Sequence, residues 1–198
     1  GKQGKDIREK TMPNSSNVLK SSRESHHKLY LVTDYIKNGS LTRKMSKSPG
    51  GCLPEDLCRK YFRQLIMALE YCHEVANIIH RDIKPDNILL SPNGVLLTDF
   101  GLARISELCD GKTRAGFMMG TPLYMSPEQR LSAKDVNHLT DIYALTATLF
   151  TLLTFRDPID LYDSETQDAL LEGLDEGLRS LIRQGCHADP AQRFASAK

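Results

Sequence analysis

Eight consecutive residues, His80-Arg81-Asp82-Ile83-Lys84-Pro85-Asp86-Asn87, place a carboxylate, an ammonium and an amide within one short stretch. Seventeen positions after Asp82 comes Asp99-Phe100-Gly101. These groups suit phosphoryl transfer. One carboxylate can orient a hydroxyl nucleophile, the lysine can neutralise a phosphate, and the amide oxygen and second carboxylate can share a hard metal ion. Such a reaction needs positioning and charge neutralisation more than covalent help from side chains, so a few well-placed groups suffice.

Asp-Phe-Gly alone is weak, but here it follows the longer motif in register. Gly120-Thr121-Pro122 and Ser126-Pro127-Glu128 come after it. On these residues the chain resembles the eukaryotic-type serine/threonine protein kinases. The resemblance implies an α+β fold that is mainly the helical C-lobe, with a short β-hairpin at the active site and a remnant of the N-lobe sheet. It also implies transfer of the ATP γ-phosphoryl group to Ser or Thr hydroxyls of protein substrates.

Residue by residue, the resemblance implies that Asp82 orients the acceptor hydroxyl and Lys84 stabilises charge on the transferred group, with Thr121 contacting both. Asn87 and Asp99 would hold Mg2+ beside ATP. Thr33 would stand behind the adenine, backbone groups of Asp34 and Ile36 would bond the base, Leu89 would pack under it, and Ser40 would complete the nucleotide side. Arg81 resembles the arginine that gathers an anion from the activation segment, and Thr113 is the candidate phosphorylation site there. Glu128 and Arg193 resemble a buried ion pair, Asp141 a carboxylate that bonds the backbone around His80-Arg81, and His80 and Phe100 members of a hydrophobic spine.

The pattern also departs from the family. The sequence contains no Gly-x-Gly-x-x-Gly, and Asn17-Val18-Leu19-Lys20 stands too close to Thr33 for an intervening helix and strand. Lys20 therefore reads as part of the strand before Tyr30, with Val18-Leu19 a short strand. Ser126, Tyr143 and Thr146 stand where relatives often carry alanine, tryptophan and glycine. The resemblance runs from about residue 28 to residue 194. An alternative function follows from these departures: a catalytically impaired kinase-like fragment acting as an interaction or scaffold module. A small-molecule phosphotransferase is disfavoured by the 120–128 segment, which docks polypeptide in the family.

The elements that must position these groups are legible in the pattern. Lys28 to Tyr35 is a compact apolar run stopped by Lys37-Asn38-Gly39, the mark of a buried strand and turn. Leu53-Pro54-Glu55-Asp56 opens a helix, with proline at its start and acids at the positive end of its dipole. Apolar residues from Leu57 recur at three- and four-residue steps, predicting helix to about His73. Asn87–Leu90 and Val95–Thr98 flank Ser91-Pro92-Asn93-Gly94 and predict a hairpin. That ribbon would carry Asn87 and Asp99 on the same side of the site. Helices are expected around Asp141–Thr154 and, as one continuous element, Glu165–Gln184, with Gly185 as the C-terminal cap. Residues 102–120 read as a loop.

Length and composition set the outer bounds. The 198 residues are 40% hydrophobic, enough for one sizeable core. Residues 1–27 are polar and read as a poorly ordered or partial N-lobe segment, and 28–198 as the kinase domain with its hinge and C-lobe. A formal net charge of +1 gives no reason to expect nucleic acid or an anionic membrane as partner. Five scattered cysteines without Cys-x-x-Cys spacing argue against disulfides or structural zinc and for a reducing compartment. Cys186-His187 and His26-His27 take ordinary surface or capping roles. Gly1 to Asn14 has no apolar signal-like core, and the uncharged Ile142–Phe155 stretch is too short for a span, so it reads as a buried helix. A cytoplasmic location is expected.

Overall fold

The computed structural model describes residues 21–25, 28–100, 122–132 and 136–197, with side chains from residue 33 onward. Val18-Leu19, Lys20, His26-His27, Cys109, Thr113 and Thr121 lie outside the described residues. The expectations attached to them stay in the sequence.

Strands β1 (Ser21–Ser25) and β2 (Lys28–Val32) form an antiparallel pair in which Ser21 faces Val32 and Ser25 faces Lys28. The expected run to Tyr35 is shorter, because residues 33–36 leave the ladder. A turn then brings the Gly39 N–H onto Ile36 O at 3.1 Å, and Gly39 takes a φ of 72°, where a side chain would be strained. Helix α1 (Leu41–Met45) follows, with Ser40 as its N-cap.

Helix α2 (Glu55–Glu70) begins directly after Pro54, with Glu55 and Asp56 in its first turn. Its buried face is Cys58, Tyr61, Leu65 and Leu69, and a π-helical turn over Tyr71–Val75 closes it. Strands β3 (Ile88–Ser91) and β4 (Gly94–Leu97) form the expected hairpin, pairing Ile88 with Leu97 and Ser91 with Gly94. Gly94 sits at φ 135°, and a Cβ there would meet Gln64 Oε1 at 2.5 Å. Gln64 uses that oxygen to accept the Val95 N–H at 3.0 Å, which pins the ribbon to α2.

Beyond the 101–121 stretch, α3 (Pro127–Leu131) leads to α4 (Leu139–Thr154), the centre of the core. Thirteen of its residues are buried, from Thr140 to Leu152. Thr146 and Thr154 satisfy their hydroxyls within the helix, on Ile142 O and Phe150 O, each at 2.8 Å, whereas the buried Thr148 hydroxyl has no partner among the described residues. Helix α2 packs on α4 and β4, and the last long helix packs on α4 from the other side.

The single helix expected over Glu165–Gln184 is two, α5 (Ser164–Leu170) and α6 (Glu176–Gly185). Gly173 breaks the run at φ 89°, and Asp175 restarts it by accepting the Leu178 N–H at 3.1 Å. The leucine spacing ran through the break because Leu171 and Leu174 still pack in the same apolar cluster. Gly185 is the last helical residue and not the cap, which is Cys186. Its role is close approach: a Cβ on Gly185 would clash with the Thr146 side chain of α4. Cys186 is fully buried and so is no surface residue.

Candidate active site

The loop between α2 and β3 is fixed by one buried carboxylate. Asp141, in the first turn of α4, accepts the His80 N–H through Oδ2 at 2.8 Å and the Arg81 N–H through Oδ1 at 2.7 Å. His73 Nε2 lies 2.8 Å from the same Oδ2. These bonds hold Arg81 at φ 69°, a left-handed conformation that costs a residue with a side chain on the order of 1 kcal/mol. The Arg81 carbonyl in turn accepts from Gln129 Nε2 of α3 at 2.8 Å. Gln129 is itself held by Thr140, whose hydroxyl also meets Ser126.

His80 is wholly buried, with its Nε2 2.9 Å from Thr98 O and its Nδ1 accepting the Asp82 N–H at 3.3 Å. A neutral ring protonated on Nε2 satisfies both bonds. Burial is the main cause that pushes its pKa below the ordinary histidine value, against the opposing pull of Asp141. Phe100 packs on the ring with centroids 4.6 Å apart.

With the backbone turned this way, the Asp82 carboxylate meets its partners. Lys84 Nζ donates to both of its oxygens at 3.0 and 2.9 Å, and Asn87 Nδ2 donates to Asp82 O and Oδ2, each at 2.8 Å. Asn87 is buried, whereas Asp82 and Lys84 are partly open, 40% and 34% exposed at the side chain. The double donation fixes the Asn87 amide and leaves Oδ1 as its free acceptor atom by chemistry.

The hairpin brings the second motif to this end. The Thr98 N–H donates to Asn87 O at 2.9 Å, so Asp99, two residues beyond the end of β4, comes directly after this contact. Asp99 is exposed, has a φ of 61°, and accepts from Thr98 Oγ1 at 3.4 Å. Thus Asp82, Lys84 and Asn87 form one hydrogen-bonded group, and Asp99 is tied to its end of the ribbon through the backbone of its neighbour Thr98. No group of three or more His, Cys, Asp or Glu residues among those described can hold a metal on its own. That donor set fits an ion arriving with phosphate oxygens, since Mg2+ commonly takes one or two protein ligands and fills its remaining sites with water and substrate.

The residues expected on the nucleotide side lie between the end of β2 and the start of β3, with Leu89 in β3 itself. Thr33 is exposed, and Asp34 and Ile36 are half-buried in the extended stretch after β2. Ser40 bridges to Leu89 of β3, and Gly39 O accepts the Leu90 N–H at 2.9 Å, which docks this stretch on the ribbon.

Glu128 and Arg193 form the expected ion pair across 65 positions. Arg193 donates to both Glu128 oxygens at 2.8 Å and also to Leu139 O at 3.0 Å, His187 O at 2.8 Å and Ala188 O at 3.3 Å. Burial opposes ionisation of Glu128, but hydrogen bonds, that of Arg193 foremost, outweigh it and hold the carboxyl below its ordinary pKa. His73, Gln129 and Thr140 were not singled out by sequence reasoning. Their contacts cross long stretches of chain, and no local spacing marks them.

A protein kinase domain model matches residues 10–198. The chain belongs to the protein kinase family. Among curated kinases it is similar to CBL-interacting protein kinase 11 of Oryza sativa subsp. japonica, 41% identical over 86% of this chain and 35% of the relative. CBL-interacting serine/threonine-protein kinase 15 of Arabidopsis thaliana is 33% identical over 86% of this chain and 42% of its own length. Mouse serine/threonine-protein kinase Nek4 is 35% identical over 68% of this chain and 17% of its own. The chain thus spans less than half the length of these kinase relatives.

Proposed function

We propose that this chain carries the phosphoryl-transfer centre of a serine/threonine protein kinase that uses ATP and Mg2+ on a protein acceptor. The observation that supports it most is the convergence of Lys84 and Asn87 on the Asp82 carboxylate, with Asp99 delivered beside Asn87 by the hairpin. Asp82 would orient the Ser or Thr hydroxyl and take up its proton's hydrogen bond. Lys84, between that carboxylate and the incoming group, would offset negative charge on the transferred phosphoryl, and Thr121 would steady both. Asn87 Oδ1 and Asp99 would hold Mg2+, which when bound neutralises phosphate charge. Thr33, Asp34, Ile36, Ser40 and Leu89 would seat the nucleotide base and sugar.

Phosphorylation of Thr113 would give Arg81 an anion to bind and order the segment between. Among the described residues no helix is long and apolar enough to cross a membrane, and a cytoplasmic site of action is part of this proposal. A second reading, a scaffold without catalysis, draws on the lack of a Gly-x-Gly-x-x-Gly in the sequence.

The test compares labelled phosphate transfer to a generic basic protein by this chain, by a form extended with a relative's amino-terminal lobe, and by Asp99→Asn versions of both. Little transfer by the chain alone and robust transfer by the extended form, abolished by Asp99→Asn, is expected. An inactive extended form that still binds protein partners favours the scaffold. Transfer that survives Asp99→Asn overturns the site assignment.

A further inference from the structure

The ribbon has two ends, and only one bears the groups described above. At the other, the Pro92-Asn93 turn forms one wall of a hollow of about 600 Å³. Five cations line it: Lys37 from the turn after β2, Arg43, Lys44 and Lys47 from α1 and just beyond, and Lys60 from α2. No Asp or Glu is among the lining residues. Elsewhere, Arg59, Lys84, Arg130, Arg183 and Arg193 each have a carboxylate within ion-pair distance. Among the described residues none of the five around the hollow has one.

In a chain whose net charge is only +1, so many like charges around one concavity are a local excess. They repel one another across the hollow, and its low-dielectric walls concentrate their field. An anionic occupant removes the repulsion. The lining constrains the occupant further, because it also includes Leu57, Tyr61 and Leu90, which offer apolar surface. Asn38 and Asn93 add amide groups to the lining, while the Ser48 and Ser91 hydroxyls are already donated to Lys44 O and Gly94 O. A polynucleotide would need a basic stripe that follows successive phosphates, and a bilayer surface would need a raised face. A recess lined by both cations and apolar side chains matches a peptide that combines carboxylates with an apolar anchor.

We propose that this hollow docks an extended acidic segment of a protein partner, its apolar side chain on Leu57, Tyr61 and Leu90 and its Asp and Glu residues against the surrounding cations. The hollow is separated from the Asn87 end by the four residues of β3, about 13 Å at the rise of an extended strand. Under the phosphoryl-transfer reading, a docked segment would tether the acceptor protein beside Asp82. The docking itself does not rest on that reading and needs no nucleotide.

Fluorescence anisotropy with the full chain and labelled twelve-residue peptides, in the absence of ATP, tests it. One peptide has Asp and Glu around a central Leu, a second has Gln in place of the acids, and a third has Gly in place of the Leu. The acidic Leu peptide should bind at least about tenfold more tightly than the Gln peptide and about threefold more tightly than the Gly peptide, and its affinity should fall several-fold between low and high salt. Lys47→Glu combined with Lys60→Glu should weaken it about tenfold with an unchanged melting temperature. Lys47→Gln with Lys60→Gln, a milder change at the same exposed positions, should weaken it about threefold and serves if the reversal fails to fold. Equal binding of the Gln peptide, or an affinity untouched by the charge changes, overturns the proposal. So does tighter binding of anionic vesicles or a single-stranded oligonucleotide that displaces the peptide. A failure of phosphate transfer with intact peptide binding would count against the kinase reading and not against this one.

Discussion

Two carboxylates, Asp141 fully buried and Glu128 a quarter exposed, stabilise this domain in different ways. Asp141 takes backbone N–H groups from His80 and Arg81 and sits against His73, so its charge is spread over dipoles of one loop. Glu128 faces a guanidinium from far along the chain, and that guanidinium also collects three backbone carbonyls. The first fixes conformation: it holds Arg81 in a left-handed turn and so aims Asp82. The second fixes assembly, joining α3 to the start of α4 and to the 187–193 segment. Loss of the first should therefore damage the site more than the fold, and loss of the second the fold more than the local geometry of the site.

The sharpest way to break this contrast is Arg193→Met. It strands the Glu128 charge and takes a donor from three carbonyls, and it should cost about 3–5 kcal/mol in a denaturant titration. Asp141→Asn keeps the shape but removes one acceptor and the charge, and should cost about 1–3 kcal/mol. It should nevertheless reduce phosphate transfer by the extended form far more than a conservative change at Glu128 does. Equal ratios of activity to stability loss at the two sites would erase the distinction.

Gly185→Ala tests the packing that both anchors depend on. It should destabilise by about 1–3 kcal/mol despite alanine's better helix propensity, since the new methyl meets Thr146. Adding Thr146→Ala should recover much of the loss, and strictly additive effects would contradict the contact.

Acid separates the two regions by their pKa shifts. His80 is held neutral, with a folded pKa below its unfolded value of about 6.5. Its contribution is complete above that pH and is lost as pH falls through the depressed folded pKa. Glu128 is also depressed, so its contribution is complete above about 4.5 and disappears only at still lower pH. Melting temperature against pH should thus fall in two stages, the first absent in a His80→Asn variant that folds. The smallest effect belongs to Tyr143→Phe. Its hydroxyl is buried without a partner among the described residues, while its ring lies 5.1 Å under the Arg193 guanidinium. Removing the hydroxyl should be neutral or stabilising by about 1 kcal/mol in the same titration.

Much of this was legible in the sequence because its signals are local. Pro54-Glu55-Asp56 marks a helix start through fixed φ and dipole, and Ser91-Pro92-Asn93-Gly94 marks a hairpin through turn chemistry. The motif residues Asp82, Lys84 and Asn87 lie close enough in sequence to meet in space. The break between α5 and α6 was not legible, since leucine periodicity continues across it and only the φ of Gly173 and the cap at Asp175 reveal the interruption. His73 and Gln129 were missed for a related reason: both act on the 80–82 loop from elements fixed only by tertiary packing. The cationic hollow was hidden as well, because Lys37, Lys47 and Lys60 stand far apart in the sequence and only folding groups them.

The most direct test concerns Asp82, whose surroundings the whole arrangement serves. Single-turnover phosphate transfer by the extended form should be compared with its Asp82→Asn variant, alongside ATP affinity and melting temperature. The expected result is a loss of at least about a hundredfold in rate with ATP affinity and stability nearly unchanged. Retention of the rate in a properly folded Asp82→Asn protein would contradict the assignment of this loop as the centre of phosphoryl transfer.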